Sequence, residues 1–281
     1  MATTPVWLIT GSSQGLGLAM VKKLLGQGFH VAAATRNKDL LINNLKKDEI
    51  KFNESQILTV NVDITDNDQV KQCAKKIKDK FGRIDVVVNN VGHGCVGAVE
   101  EFSDKEIKEI FNVNVFGMLN VLRHTIPYLR ENKDGGRIYN LSSIVGYYAC
   151  LPLGAIHSSY KFAIDGISEG LASELKEFNI KVTSVKPGNH RTQVLDHFLL
   201  PKLLLPEYKT EGVYNTLKSQ SGKQVGSPDK LAQVLIDLSK SDDPPIHLFL
   251  GQDSLNLQAK KSKLIQTEID KFLDLSKSTK F

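Results

Sequence analysis

Two stretches of this 281-residue chain place reactive residue types at informative spacings. The first is Thr10-Gly11-Ser12-Ser13-Gln14-Gly15-Leu16-Gly17, set between the apolar run Val6–Thr10 and a helix-patterned segment. Glycines there permit a tight turn and a close approach of backbone to a pyrophosphate, whose charge the N–H groups and dipole of the following helix would hold. The second is His157-Ser158-Ser159-Tyr160-Lys161. On a helix, His157 and Lys161 share a face because they lie one turn apart, whereas Tyr160 is displaced from Lys161 by about 100° around the axis.

Such groups need elements to place them. Short apolar runs at Val6–Thr10, Val31–Thr35, Ile57–Val62, Ile84–Asn89, Arg137–Leu141, Ile180–Val185 and Ile246–Leu250 alternate with longer helix-patterned stretches. The first helix is expected from Gly15 to about Gln27, with Gly28 as its terminator. Ser103 and Glu106, in capping-box spacing, open a stretch running to Arg130, with a bend expected at Pro127. Another helix is expected from about His157 to Phe178. Buried strands separated by helices imply parallel crossovers, so the pattern predicts an α/β fold: a doubly wound parallel sheet of about seven strands, a Rossmann fold. No linker rich in Pro, Gly or Ser divides the chain and no internal repeat is visible, so residues 1–281 read as one domain.

The rhythm breaks at 189–225, where Leu199-Leu200-Pro201 and Leu203-Leu204-Leu205-Pro206 form an apolar, proline-punctuated insertion. It follows a strand whose C-terminal end faces the ligand crevice, which predicts a substrate-covering lid, with an ordinary surface helix pair as the alternative. In the C-terminal extension 252–281, Leu257, Leu264, Ile265, Ile269, Phe272 and Leu273 fall on one side of a basic amphipathic helix. That stripe predicts packing on the protein's own body or on a sister subunit rather than on a membrane.

With 41% apolar and 24% charged residues, the composition fills a core and excludes disorder. The net charge of +5, from 36 basic and 31 acidic residues, is spread as lysines over helical segments without aromatic interleaving. It describes a solvated surface and not a nucleic-acid footprint. Cys73, Cys95 and Cys150 are widely spaced and read as buried small hydrophobes in a reducing compartment. No His, Asp and Glu cluster has metal-site spacing. Nothing before Val6 resembles a secretory signal, no apolar run approaches the roughly 20 residues of a membrane span, and Ser-Thr-Lys-Phe at the end carries no lipidation pattern, so a cytoplasmic location is expected.

The spacing Gly-x-x-x-Gly-x-Gly resembles that of the short-chain dehydrogenase/reductase family, and further segments agree in order from Val6 to Gly251. Asn89-Asn90-Val91-Gly92 resembles the family's Asn-Asn-Ala-Gly, Asn114 stands where the family has a catalytic Asn, and Leu141-Ser142-Ser143 offers Ser143 as the catalytic Ser. The resemblance implies a nicotinamide dinucleotide on Gly11, Ser13, Gln14, Gly15, Leu16 and Gly17, with adenine near Asp63 and Ile64. It places Asn90, Gly92, Pro187, Gly188 and Thr192 beside the rest of the cofactor, Thr192 near the nicotinamide carboxamide. The second strand ends Ala34-Thr35-Arg36, with no acidic residue for a ribose 2′-hydroxyl. Arg36 suits a 2′-phosphate, which favours NADP(H) over NAD(H).

One departure concerns the proton. Lys161-Phe162-Ala163 matches the family's active-site Lys, but four residues earlier, where the family has Tyr, stands His157. Either His157 occupies the Tyr position, or a compensating insertion and deletion keep Tyr160 as the donor. An unperturbed His titrates near ~6.5 and a Tyr near ~10, and a neighbouring Lys⁺ opposes protonating the imidazole. Neutral His157 suits a base in alcohol oxidation better than an acid in carbonyl reduction, which predicts weak or acid-favoured reductase activity compared with His157→Tyr.

The resemblance thus implies an oxidoreductase interconverting an alcohol and a carbonyl, for which Arg36 favours NADP(H) and the apolar insertion suggests a small hydrophobic substrate. Ser143 would polarise the carbonyl, Lys161 hold the ribose and Asn114 support a proton relay. The alternative is a nucleotide-binding relative without hydride turnover: an isomerase or cyclase, a sensor or a scaffold. His93 is a candidate pocket contact or an exposed turn residue, one of Tyr147 and Tyr148 either touches substrate or packs in the core or rim, His190 is expected near the nicotinamide through its backbone, and the family's assemblies suggest a homodimer or homotetramer.

Overall fold

The computed structural model describes residues 4–280; Met1–Thr3, part of the stretch read for targeting signals, and Phe281, the end of the C-terminal tetrapeptide, lie outside the described residues. β1 (Val6–Thr10) is buried along its whole length, as a strand covered on both faces must be. There follow α1 (Gly15–Gly26), β2 (His30–Thr35), α2 (Lys38–Lys47), β3 (Ile57–Asn61), α3 (Asn67–Phe81) and β4 (Val86–Asn89). The second half holds α4 (Asp104–Phe111), α5 (Gly117–Arg130), β5 (Gly136–Leu141), α6 (Ala155–Glu174) and β6 (Ile180–Pro187). The insertion carries α7 (Thr210–Lys218), and α8 (Pro228–Leu238), β7 (His247–Leu250), α9 (Gln252–Lys271) and α10 (Leu273–Lys277) close the chain.

The strands form one parallel sheet in the order β3-β2-β1-β4-β5-β6-β7, the doubly wound Rossmann arrangement. Strand order reverses between β1 and β4, so the loops leaving these strands diverge and open a crevice at their C-terminal ends. Apolar layers cover both faces. Ile77 of α3, Leu129 of α5 and Ile164 of α6 pack on one side, and Leu24 of α1, Leu41 of α2 and Leu235 of α8 on the other.

Local chemistry sets the element ends. Asp66 accepts from the N–H groups of Asp68 and Gln69 to start α3, and Gly82 ends it at φ 77. The Ser103–Glu106 capping box opens α4. The helical path toward Arg130 changes register at Asn112–Phe116, a π-type turn between α4 and α5, while Pro127 lies inside α5. A π turn re-aims neighbouring side chains, and here it buries Asn114 while Phe116 stays exposed.

At the periphery one expectation fails, and of another only the alternative of packing on the protein's own body is not met. Cys73 and Cys95 are buried, but Cys150 is exposed, in the irregular segment between β5 and α6. The start of α9 is anchored, with Ser254 donating to the Lys186 carbonyl at 2.8 Å. From Lys263 to Lys280, however, every residue is exposed, so Leu264, Ile265, Ile269, Phe272 and Leu273 do not pack on the protein's own body. The helix runs on past the last strand, and no element of the described residues covers that face. Among the described residues, no helix is long and apolar enough to cross a membrane and no cluster of metal-binding side chains forms.

Candidate active site

The glycine turn between β1 and α1 is shaped by steric demand. Gly11 and Gly15 adopt φ of +66° and +58°, and a Cβ on Gly17 would lie 2.2 Å from the Gly11 carbonyl oxygen. Asn90 closes the turn: its Nδ2 donates to the carbonyls of Thr10 and Gly11, both at 3.1 Å, and its N–H donates to Thr10 Oγ1 at 3.0 Å. Gln14, extended at φ −155°, begins α1 without a side-chain cap, so the first-turn N–H groups face the crevice unblocked by a side chain. Thr192 lies over the turn, its Cβ 3.7 Å from the position of a Cβ on Gly15.

From this turn a cleft of about 780 Å³ runs along the C-terminal edge of the sheet. Gly11, Ser13, Gln14, Gly15, Leu16, Arg36, Asp63, Ile64, Asn90 and Gly92 line one part of it. Ser143, His157, Tyr160, Lys161, Pro187, Gly188 and Thr192 line the other. Gly17, expected to contact the cofactor, does not line the cleft; it packs against the Gly11 carbonyl and Asn90. Asn114 stands behind the cleft wall, its Oδ1 accepting from the His93 N–H at 3.1 Å and its Nδ2 donating to the Ile110 carbonyl at 2.8 Å.

His93 and His190 both line the cleft. The Arg36 guanidinium lies 3.3 Å from His93 Nε2, and burial, followed by the charges of Arg36 and His197, holds His93 below the usual histidine range. His190 donates through Nδ1 to the Gly188 carbonyl at 3.1 Å. Tyr147 and Tyr148 do not line the cleft and follow the packing alternative. The turn Ile144–Gly146 directs them toward α9, where the Tyr147 hydroxyl meets Ser262 Oγ at 3.0 Å and Lys260 sits 6.0 Å from the Tyr148 ring centroid.

α6 carries three of the reactive side chains. Lys161 Nζ donates to the Leu141 carbonyl at 2.8 Å, and burial draws its ammonium down to about 8 against the opposing pull of Asp165. The Tyr160 hydroxyl donates to the His93 carbonyl at 2.7 Å, and burial holds its proton well above the usual tyrosine range. His157 accepts at Nδ1 from the Cys95 N–H at 3.3 Å; burial and then the Lys161 charge push it down to about 3. Ser143, two residues past β5, accepts at Oγ from the Val145 N–H at 3.3 Å.

Sequence reasoning missed the wall behind His157. Phe198 stacks obliquely on the His157 ring at 5.3 Å, and a Cβ on Gly94 would come within 2.1 Å of the Phe198 ring. Leu199 is tied to this strip by bonds from its N–H to Gly94 at 2.8 Å and from Val96 N–H to its carbonyl at 3.0 Å. Buried Glu101 then accepts from Ala98 N–H at 2.7 Å, Leu205 N–H at 2.9 Å and Thr210 Oγ1 at 2.7 Å. The insertion therefore lines the cleft while its leucine-rich part is fastened to the body. The signal was a single glutamate beside a capping box, indistinguishable in sequence from its neighbours.

Comparison with known proteins agrees with this architecture. The short chain dehydrogenase family profile matches residues 5–199. Oxidoreductase BOA17 of Botryotinia fuckeliana (strain B05.10) is 34% identical over 275 residues, covering 97% of this chain and 98% of the relative. A short-chain dehydrogenase structure from Streptomyces avermitilis superposes with a TM-score of 0.87 at 29% identity, covering 99% of this chain and 100% of that one. ElxO with NADP bound superposes with a TM-score of 0.72 at 25% identity, covering 88% and 96%. Sequence agreement along most of the chain and a shared fold along nearly all of it place the protein in the short-chain dehydrogenase/reductase family of oxidoreductases.

Proposed function

We propose that the protein is an NADP(H)-dependent oxidoreductase interconverting an alcohol and a carbonyl on a small hydrophobic substrate. The observation that carries this reading is one continuous cleft joining the glycine turn to Ser143, His157 and Lys161. Its donors fit a dinucleotide: a turn too tight for a side chain at Gly17 and an α1 start without a side-chain cap suit a pyrophosphate. Gly11, Ser13, Gln14, Gly15 and Leu16 would hold it, with Asp63, Ile64, Asn90 and Gly92 along the adenosine half. Pro187, Gly188 and Thr192 would flank the nicotinamide, and Lys161 the ribose hydroxyls. Arg36, at the end of β2, supports a 2′-phosphate and hence NADP(H), and ElxO with NADP bound is a relative in keeping with that preference.

When bound, the nicotinamide supplies hydride chemistry. Ser143 and His157 then face the reacting oxygen, and Asn114 steadies the His93 segment and supports the proton relay. Leu151, Val194, Leu195 and Phe198 give the substrate end an apolar lining, which supports a hydrophobic substrate. Residues 1–281 act in this reading as one catalytic unit in the cytoplasm. The exposed apolar face of α9 is consistent with a homodimer or homotetramer.

A second reading, nucleotide binding without hydride turnover, is favoured by the commitment of the Tyr160 hydroxyl to the His93 carbonyl. Fluorescence titration with NADPH and NADH, followed by absorbance at 340 nm with a panel of ketones, aldehydes and alcohols, separates the two. Binding with turnover supports the first reading and binding without turnover the second. Absence of binding sinks both.

A further inference from the structure

Ser143 and His157 share an arrangement that neither the fold nor the family comparison dictates. Each engages one side of its polar group with a backbone N–H of the wall, Ser143 Oγ with Val145 and His157 Nδ1 with Cys95. A hydroxyl has one hydrogen to give, and a neutral imidazole has one donor and one acceptor nitrogen. Because Nδ1 accepts, the imidazole hydrogen sits on Nε2. Among the described residues, neither that nitrogen nor the Ser143 hydroxyl donates to another protein group, and both side chains line the cleft.

Packing holds the ring in this sense. Its centroid lies 5.1 Å from that of Tyr160 and 5.3 Å from that of Phe198, and Phe198 is itself wedged over Gly94. Exchanging the two nitrogens requires a flip between these neighbours.

We propose that Ser143 and His157 form a two-donor oxyanion site, in which His157 acts through Nε2–H as a neutral hydrogen-bond donor that keeps its proton. This rests on the carbonyl-reducing reading and deepens it. As the carbonyl carbon gains a hydrogen with its electron pair from the dihydronicotinamide, the C=O π pair moves onto oxygen, where Nε2–H and Oγ–H stabilise the alkoxide. The alkoxide takes its proton from water in the cleft, leaving hydroxide that the solvent neutralises. His157 and Ser143 have the same protonation before and after. Burial supports this role, because imidazolium is scarce at neutral pH with His157 near 3. Removing one donor from an oxyanion site lowers turnover by about 10²–10³.

Histidine ¹⁵N NMR on the full chain tests the tautomer without any turnover, with the His157 signal identified by its loss in His157→Gln. The expected result is an Nε2–H ring that does not titrate between about pH 5 and 9, with or without NADPH. A ring protonated on Nδ1, or one titrating near its ordinary value, overturns the proposal. In 340 nm assays, His157→Gln, which keeps an amide N–H donor, should stay within roughly tenfold of the parent, whereas His157→Leu should fall by about 10²–10³. Equal losses in the two variants count against the proposal. If NADPH fails to bind while the Nε2–H ring is seen, the functional reading fails and the tautomer stands.

Discussion

The Tyr160 hydroxyl donates to the His93 carbonyl at 2.7 Å, with the Phe111 ring edge-on to the tyrosine at 6.4 Å. This bond makes Tyr160 a buried strut between α6 and the loop after β4. Tyr160→Phe is therefore expected to lose about 1–2 kcal/mol in urea unfolding, because the His93 carbonyl is left without its donor. The shape of the pH–rate profile should stay as in the parent. A loss of turnover as large as that from removing an oxyanion donor, accompanied by an altered profile, would assign the proton to Tyr160.

His157 also ties stability to acid. Its folded-state pKa of about 3 lies below the roughly 6.5 of an unfolded chain, so the unfolded state binds more protons between those values. The contribution is complete above about pH 6.5 and is lost as pH falls toward 3, at no more than about 1.4 kcal/mol per pH unit. Between pH 7 and 4.5 the parent should lose about 2 kcal/mol more than His157→Gln, as read from urea midpoints. Parallel losses in the two proteins would place the ring in water.

Arg36 and His93 bear on cofactor choice. The guanidinium lies 3.3 Å from His93 Nε2, and neutral His93 can accept there while leaving further N–H groups of Arg36 for a phosphate. Charge-assisted hydrogen bonds of about 1.5–3 kcal/mol imply that Arg36→Ala weakens NADPH binding by about 10–100-fold, with little change for NADH. His93→Ala should lose a smaller part of the same preference. Equal affinity of the parent for the two nucleotides in fluorescence titrations would rule out this role for Arg36.

Space around two glycines gives opposite expectations for the same substitution. At Gly17 a Cβ would meet the Gly11 carbonyl oxygen at 2.2 Å and Asn90 Nδ2 at 2.7 Å, so Gly17→Ala should displace the turn and abolish nucleotide binding. Gly166, inside α6, has nothing within 4 Å of such an atom. Gly166→Ala should raise stability by about 0.5–1 kcal/mol and leave nucleotide affinity as it was. Circular-dichroism melts and NADPH titration of both variants check the contrast.

Legibility in the sequence followed the range of the interactions. Val6–Thr10 and the other central strands read clearly because a parallel strand buried on both faces must be an apolar run, and the glycine turn read clearly because its steric demand is local. The π turn at Asn112–Phe116 left no mark, since an inserted helical residue changes register without changing composition. The two wall bonds that hold the His157 and Tyr160 side chains join residues 62 and 67 positions apart, beyond any spacing rule. The α9 stripe was visible in sequence, but whether the body lies beneath it is a matter of tertiary path, and Leu264 and Ile269 remain in the open.

Glu101 explains why the insertion is a fixed wall. Burial alone would raise its carboxyl, but hydrogen bonds from Thr210, Leu205 and Ala98 outweigh that and hold it below the usual glutamate range, so the carboxylate stays charged at neutral pH. Glu101→Gln keeps the shape but turns one acceptor edge into a donor facing N–H and O–H groups, which should lower stability by about 2–4 kcal/mol. Glu106, half-buried and bonded to the Lys202 N–H at 3.1 Å, provides the contrast; Glu106→Gln should lose less than about 1.5 kcal/mol. Limited proteolysis reads the difference, with cleavage between residues 199 and 210 accelerated in Glu101→Gln but little changed in Glu106→Gln. Because Phe198 at the start of this segment packs on His157, the same variant should raise KM for the substrate more than it changes the affinity for NADPH. Unchanged proteolysis together with unchanged KM would show that the insertion stays in place without the clamp.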